Sequence, residues 1–378
     1  MTQNSPTPEL NISYQDRQEK LAGRLDAAGL QALALNPGPS LVYMTGLHFH
    51  LSERPVVALI VPGRPLILVL PELELAKTNC LPYPVQAFAY GEDPSTWSSV
   101  FQQALHASGK GLKKVGVEPA QLRVLELRLL ETALPGIQVL SSEAELAELR
   151  MHKDESEVAH MRIAAWMAQE ALKATLPVIK VGVTEKEVAT ELTLQLLRTG
   201  SESVPFTIVS GGPNSANPHA MPSDRPLKPG DLLVIDWGAC CQGYFSDITR
   251  TFAIGKVEEE FERIGTIVHQ ANAAGRTACA PGILAEDVDG AARKVIASAG
   301  YAAQFTHRTG HGLGMEIHEA PYIRAGNSLP LKPGMTFTIE PGIYLEGRGG
   351  VRIEDDMVIT EKGGESLTDL PRDVQRID

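Results

Sequence analysis

The sequence predicts an α+β protein in two parts: a smaller α/β part over residues 14–145 and a larger, internally duplicated part over residues 152–378. Three observations predict it. Helix-like and strand-like stretches alternate up to residue 145, the pattern of a compact domain with a mixed sheet. Ser141–Ala174 contains no Gly or Pro and reads as helix. Finally, Leu227–Asp247, LKPGDLLVIDWGACCQGYFSD, returns as Leu331–Glu354, LKPGMTFTIEPGIYLEGRGGVRIE. Each copy runs Pro-Gly, an apolar β-rich stretch, an acid, a Gly-containing turn and a second stretch with another acid. Both read as hairpins.

In chain order, MTQNSPTPELN is polar and predicts a flexible tail over residues 1–13. Asp16–Ala28 predicts a helix and Gln31–Leu35 a strand closed by the turn Asn36–Pro39. Val56–Pro62 and Pro65–Leu70 predict two strands around Gly63-Arg64. Trp97–His106 predicts a helix, Val115–Val117 a strand, and Leu122–Leu134 a helix closed by Pro135-Gly136. Tyr43, His48, Phe49 and His50 fall in a loop that either packs locally or lines a site. The long helical stretch breaks near Met151–Asp154. Thr184–Thr199 opens with a capping box, Thr184-x-x-Glu187, and ends at Gly200. Glu259–Ala278 and Ala285–Ala299 are two further helices between the hairpin copies. The larger part is thus helices and hairpin, twice.

Composition narrows the function. Net charge is −12, which argues against nucleic-acid and anionic-membrane surfaces. Four cysteines show no Cys-x-x-Cys spacing, and no apolar run approaches the roughly 18 residues of a membrane span. A cytoplasmic protein is expected. Vicinal Cys240 and Cys241 read as small buried side chains.

The paired acids carry the chemistry. A hairpin folded about Cys241–Gln242 sets Asp236 opposite Asp247, and one folded about Gly347 sets Glu340 opposite Glu354. Directly opposed like charges repel. Four carboxylates in a partly buried site must protonate, separate or bind cations. His311, in the Gly-rich run Thr309–Gly314, adds an imidazole. Carboxylates with one imidazole suit divalent ions, and two ions sharing bridging carboxylates activate water.

Pro218-His219, Asp236 with Asp247, His311-Gly312-Leu313-Gly314, His318-Glu319, Glu340-Pro341-Gly342 and Val351–Asp355 together resemble the pita-bread metallopeptidases. Within that family the Xaa-Pro branch, prolidase and aminopeptidase P, fits best, and Leu367–Arg372 is similar to that branch as well. The smaller part resembles the creatinase-type N-terminal domain. The resemblance spans nearly the whole chain. It implies that Asp236 chelates one metal, His311 and Glu340 the other, and that Asp247 and Glu354 bridge the two. It implies that Glu340 helps deprotonate the attacking water. His219 would hydrogen-bond substrate or oxyanion, and His318 would contact substrate beside the scissile bond. Two divalent ions are implied, manganese first, with cobalt or zinc also suited. Arg324 is expected to read a dipeptide's carboxylate. Arg352, grouped with it as substrate-binding, is simplest as an ion pair to the metal carboxylates. Tyr244 and Asp355 read as structural, and His307, four before His311, is the best of the remaining histidines.

The expected activity is hydrolysis of the bond preceding proline in Xaa-Pro dipeptides. The alternative is an aminopeptidase acting on longer peptides with proline second. A homodimer is expected. Two other classes are a metal-free relative or non-catalytic binding module, which lost ligands would mark, and two-metal phosphoryl transfer, which wants a phosphate-cradling Gly-Lys loop that the sequence lacks.

Overall fold

The computed structural model describes residues 13–109 and 111–378. The tail expected over residues 1–13 therefore lies outside the described residues, apart from Ser13. The described chain separates into two compact units, one ending at Arg150 and the other spanning Met151–Asp378.

In the first unit the Ser13 hydroxyl accepts the Asp16 N–H and caps α1 (Tyr14–Ala27). There follow β1 (Ala32–Leu35), α2 (Pro39–Thr45), β2 (Val57–Ile60), β3 (Leu66–Pro71) and β4 (Val85–Tyr90). Then come α3 (Trp97–Ala107), β5 (Lys114–Val117), α4 (Val124–Ala133), β6 (Gln138–Ser141) and α5 (Glu143–Arg150). The strands form one mixed sheet, β4-β3-β2-β1-β5-β6. Its inner residues Val57, Val69 and Val115 pack on Phe101, Leu105 and Leu130. Two differences from expectation stand out. The turn at Asn36–Pro39 runs on into α2, with Pro39 in its first turn, where its missing N–H costs nothing. Tyr43 consequently lies in the core, its ring 3.8 Å beneath the Arg17 guanidinium, while His48 and His50 stay exposed. Strands β4 and β6 were not expected, because their sequences lack a clear alternation and most of their residues are not fully buried.

The second unit begins with α6 (Glu155–Thr175), capped by an Asp154–Glu157 capping box, and α7 (Glu185–Arg198), capped by the predicted Thr184–Glu187 box. β7 (Thr207–Gly211), β8 (Leu232–Trp237), β9 (Cys240–Cys241), β10 (Tyr244–Phe245) and β11 (Ile248–Ile254) follow. The order then repeats. Helices α8 (Glu259–Ala278) and α9 (Ala285–Ser298) lead into β12 (Gly310–Gly312), β13 (Glu319–Ile323), β14 (Thr336–Ile339), β15 (Gly342–Leu345), β16 (Gly349–Arg352), β17 (Asp355–Thr360) and β18 (Gly363–Ser366). A last strand, β19 (Gln375–Ile377), returns beside β11. The sheets run β19-β11-β8-β7 and β13-β12-β14-β17-β18. The repeat extends to single bonds. Gly182 N–H donates to Leu227 O at 2.9 Å, and Gly282 N–H donates to Leu331 O at 2.7 Å.

The two halves meet at the bridge Thr249↔Glu354, where Glu354 N–H donates to Thr249 O at 3.1 Å. The second hairpin has the expected register: Ile339↔Asp355 and Gly342↔Arg352 belong to one continuous alignment that sets Glu340 across from Glu354. The first hairpin does not. Its turn residues are Gln242 and Gly243, both at positive φ, as a two-residue primed turn requires. That turn lies one residue beyond the expected one and moves the register by two. Asp236 faces Thr249, and Asp247 becomes its diagonal neighbour on the same face.

Candidate metal centre and active site

Every predicted carboxylate ends up at a strand end by the seam. Asp236 is the penultimate residue of β8, and Asp247 immediately precedes β11. His311 is the centre of β12, Glu340 directly follows β14, and Glu354 sits between β16 and β17. The glycines around His311 serve strand packing. A Cβ on Gly310 would lie 1.8 Å from Thr338 O, and one on Gly312 would lie 2.2 Å from Ala320 O. Only glycine lets β12 fit between β13 and β14. The work of these glycines is to admit neighbouring backbone.

The donor atoms converge. Atoms of Asp247, His311 and Glu354 lie within 4.8 Å of one another. His311 Nε2 is 3.6 Å from Asp247 Oδ2 and 3.5 Å from Glu340 Oε1. Its Nδ1 faces Gly312 O at 3.2 Å, the tautomer that leaves Nε2 with a free lone pair. Asp236 Oδ2 takes a 2.7 Å bond from Arg352 Nη2, while the buried Oδ1 has no partner. A buried acceptor left bare is costly. Burial, reinforced by Glu354 and Asp236, pushes the Asp247 carboxyl well above its ordinary range. Glu354 is raised likewise by burial and Glu340, and Glu340 to about 7 by burial, against the pull of Arg352. Burial and then His318 hold His311 neutral. Without a cation these groups must share protons. With one they need not. The orphaned Oδ1, the free Nε2 and the crowded acids all fit a divalent cation site.

Neighbouring residues show how the strand sorts its acids. Glu354 faces the cluster. Asp355, one residue on, faces the other way, where burial opposes ionisation but Arg250 and Arg372 hold its carboxyl down at about 2. Tyr244 lies away from the cavity, its OH bonded to Glu157 Oε1 at 2.5 Å.

A cavity of about 500 Å³ opens onto the cluster. All five predicted metal ligands line it, with His219, His318 and Arg352. His219 and His318 are exposed at its mouth, and the His318 ring stands edge-on to His311 with centroids 4.1 Å apart. Arg352 is buried and fully engaged: Nε with Thr249 Oγ1, Nη1 with Pro218 O and Tyr344 OH, Nη2 with Asp236. It ties the His219 loop to the acid cluster, with all three guanidinium nitrogens engaged. Arg324 is not among the residues that line the cavity: it follows the end of β13 at Ile323, is exposed and donates to Ala325 O at 3.0 Å.

Sequence reasoning missed several lining residues. Phe206, Ile208 and Ile317 form the apolar wall. His307, singled out in the sequence, also lines the cavity, its Nε2 2.9 Å from Tyr344 OH. Arg308 lines it as well, and its signal was its place directly before the Gly-rich run. The apolar three carried none, since isolated apolar residues are indistinguishable from core.

Comparison with known proteins agrees with this geometry. The model of metallopeptidase family M24 matches residues 159–361, and that of the creatinase/prolidase N-terminal domain matches residues 17–152. An Xaa-Pro dipeptidase of Lactobacillus delbrueckii subsp. lactis is 34% identical over 94% of this chain and 98% of its own. The crystal structure of dipeptidase PepE from Mycobacterium ulcerans superposes with a TM-score of 0.89 at 35% identity, covering 96% of this chain and 98% of that one. The X-Pro aminopeptidase of Thermotoga maritima does so at 0.83 and 30%, covering 96% and 99%. The chain belongs to metallopeptidase family M24, in the pita-bread fold with a creatinase-type N-terminal domain.

Proposed function

We propose that the chain hydrolyses the peptide bond preceding proline, as an Xaa-Pro dipeptidase, with two divalent ions held by Asp236, Asp247, His311, Glu340 and Glu354. The observation that carries the reading is the convergence of these five side chains at the seam of the duplicated unit. Bound there, divalent cations supply Lewis acidity toward the scissile carbonyl and a strong oxygen nucleophile at neutral pH. The rest falls to the chain. Asp247 and Glu354, one from each half, fix the centre of the cluster. Glu340 takes the water's proton in this reading, which its Oε1, 3.5 Å from His311 Nε2, supports. His318 and His219 donate hydrogen bonds to the substrate carbonyl as its oxygen gains charge in this reading, which their exposure among the cavity-lining residues supports. Burial and Arg308 lower the pKa of His318, so its neutral form dominates at pH 7. Phe206, Ile208 and Ile317 offer an apolar wall for the pyrrolidine ring. Proline's missing N–H leaves nothing there unpaired.

Manganese is the proposed metal, because hard carboxylate oxygens outnumber nitrogen; cobalt and zinc suit the same set. A cytoplasmic homodimer is part of the proposal, supported by four free cysteines and the prevalence of two-fold assemblies. An aminopeptidase acting on longer Xaa-Pro peptides is the second reading, supported by the likeness to the Thermotoga maritima enzyme.

The test is metal-stripped protein assayed on Ala-Pro, Ala-Pro-Ala and Ala-Ala with Mn²⁺ restored. Cleavage of Ala-Pro in preference to the others is expected. Preference for the tripeptide would replace the dipeptidase with the aminopeptidase, and inertness toward all three would remove the reading.

A further inference from the structure

The chain segments that carry Glu340 and Glu354 lose their strand pairing at the acid cluster. β14 pairs with β17 as far as Ile339↔Asp355, and β15 pairs with β16 from Gly342↔Arg352 onward. The same alignment makes Pro341 and Ile353 opposite residues, of the kind that exchange two hydrogen bonds. Half of that exchange survives: Ile353 N–H donates to Pro341 O at 3.4 Å. Proline has no N–H to return to Ile353 O. The sequence Glu340-Pro341-Gly342 therefore removes a ladder bond beside both glutamates.

Asn272 supplies a donor at that point. It is fully buried on α8, and its Nδ2 lies 3.3 Å from Ile353 O, 3.0 Å from Ile339 O and 3.0 Å from Asp355 Oδ2. Ile339 and Ile353 immediately precede Glu340 and Glu354. One carboxamide thus holds the carbonyls that lead into both glutamates. Its orientation is set, because Arg276 Nε donates to Oδ1 at 2.8 Å; a reversed amide would turn oxygen toward three acceptors. Gly275, one turn on, allows the reach. A Cβ there would stand 2.9 Å from Ile339 Cγ2 and push the helix off the strand.

The other half of the duplicated unit serves as a control. Its ladder between β8 and β11 runs unbroken from Leu232↔Ala253 through Asp236↔Thr249 to Trp237↔Ile248. Asn272 lies ten residues before Gly282, and Leu172 lies ten before Gly182. Leu172 is a buried member of the apolar core. The carboxamide stands in the half whose ladder is broken, and leucine fills the same place where the ladder is whole.

We propose that Asn272 is a positioning residue for the metal centre, setting the separation of Glu340 and Glu354 through the two carbonyls that precede them; the role rests on the two-metal reading above. In that reading Glu340 and His311 belong to one ion, and Glu354 to both. Loosened strand ends should therefore weaken one ion more than the other. The alternative is that Asn272 only stabilises the fold, which would lower stability with no preference between ions.

The experiment titrates Mn²⁺ into metal-stripped wild type, Asn272→Leu, Asn272→Ser and Leu172→Ala by calorimetry, with urea unfolding and Ala-Pro kinetics alongside. Asn272→Leu gives the second half the residue of the first. Asn272→Ser is too short to reach both carbonyls, and it carries the comparison if Asn272→Leu does not fold. Leu172→Ala weakens the equivalent helix position and leaves the glutamate strands alone. Wild type should bind two ions. Each Asn272 variant should bind one of them roughly 30-fold more weakly and the other within about threefold of wild type. Their kcat should fall with KM for Ala-Pro nearly unchanged, and excess Mn²⁺ should restore most of it. Leu172→Ala should lose stability and keep both affinities. A folded Asn272 variant with wild-type affinity for both ions, or the same selective loss in Leu172→Ala, would overturn the assignment. Wild type that binds fewer than two ions would sink the two-metal reading beneath it. Two ions bound, one of them through Asn272, with no cleavage of Ala-Pro would sink the Xaa-Pro reaction and leave the positioning role standing.

Discussion

The two halves of the duplicated unit share a backbone and divide the work. Helices α7 and α9 have almost the same pattern of buried positions, and both begin at a bridge, Thr184↔Pro226 in one half and Leu284↔Pro330 in the other. Each helix also spends a carboxylate on holding a cavity segment, but at different turns. Glu185, the first residue of α7, is fully buried and accepts from Gly211 N at 2.6 Å, Asn214 Nδ2 at 2.9 Å and Ser223 N at 2.9 Å. It fastens both ends of the loop that carries His219. Asp289, in the second turn of α9, fastens Thr309 and pairs with Arg293, and so holds the segment before His311. The first half contributes two short acids on a diagonal; the second contributes the imidazole and two longer acids in direct register. A repeated fold supplies a two-fold frame, and the cluster at its seam is not itself two-fold.

The largest effect should come from the seam. Asp247→Asn removes an acid of the first half and Glu354→Gln one of the second. If the halves hold the metals jointly, each should lower kcat by more than about 10³-fold while circular dichroism stays native, and each should reduce bound Mn²⁺. Asp247→Asn with wild-type turnover in added Mn²⁺ would confine the metal chemistry to the second half.

The helix carboxylates come next. Glu185→Ala strips four donors, the Ser223 hydroxyl included, of their acceptor and should cost about 3 kcal/mol by urea unfolding. Its kcat/KM loss should exceed what the remaining folded fraction explains, because the His219 loop is released. Asp289→Ala should be comparably destabilising, with its catalytic loss routed through the segment before His311 that Asp289 holds. If Glu185→Ala lowers stability and leaves the folded enzyme's kcat/KM unchanged, the loop does not need its anchor for catalysis.

Much of this asymmetry was readable in the chain, and the reasons for the remainder are specific. The repeated Leu-Lys-Pro-Gly and the acids that follow it located the seam, since strand period and hairpin length are local properties. The Thr184 capping box was readable for the same reason. The first hairpin's register was missed by one turn residue, although Gln242-Gly243 carried the signal of a primed turn. Arg324 lies beyond the end of β13 and outside the cavity lining, a position that no local pattern specifies because the direction of a chain leaving a strand is a tertiary outcome. Glu185 and Asp289 looked like ordinary acids of a helix's first turns; only the loops folded back onto them reveal their use.

A smaller effect should appear in pH dependence. Asp247, Glu340 and Glu354 all have carboxyls raised in the folded chain, Glu340 to about 7, while unfolded carboxyls titrate near ~4. Between those values the metal-free native state holds more protons than the unfolded state, so its stability falls as pH rises. Cations replace those protons. The rise in Tm on adding Mn²⁺ should therefore grow from pH 5 to pH 8, as thermal melts with and without chelator will report. A rise constant across that range would mean that the acids do not share protons in the empty site.

The smallest effect separates inherited backbone from local chemistry. Thr184 and Leu284 occupy equivalent N-cap positions, yet only Thr184 makes a side-chain cap. The helix starts at the same place in both halves because the bridge to the Leu-Lys-Pro-Gly segment sets it. Thr184→Ala should therefore cost about 1 kcal/mol without shifting the start of α7. Leu284→Thr should gain less, about 0.5 kcal/mol, since some apolar packing is given up and Asp287 is shorter than Glu187. Amide exchange at the first turn of α7 measures the difference. Protection lost only in that turn fits a cap added to a start the bridge defines, and fraying that spreads into the bridge would make the cap, and not the repeated backbone, the element that sets where the helix begins.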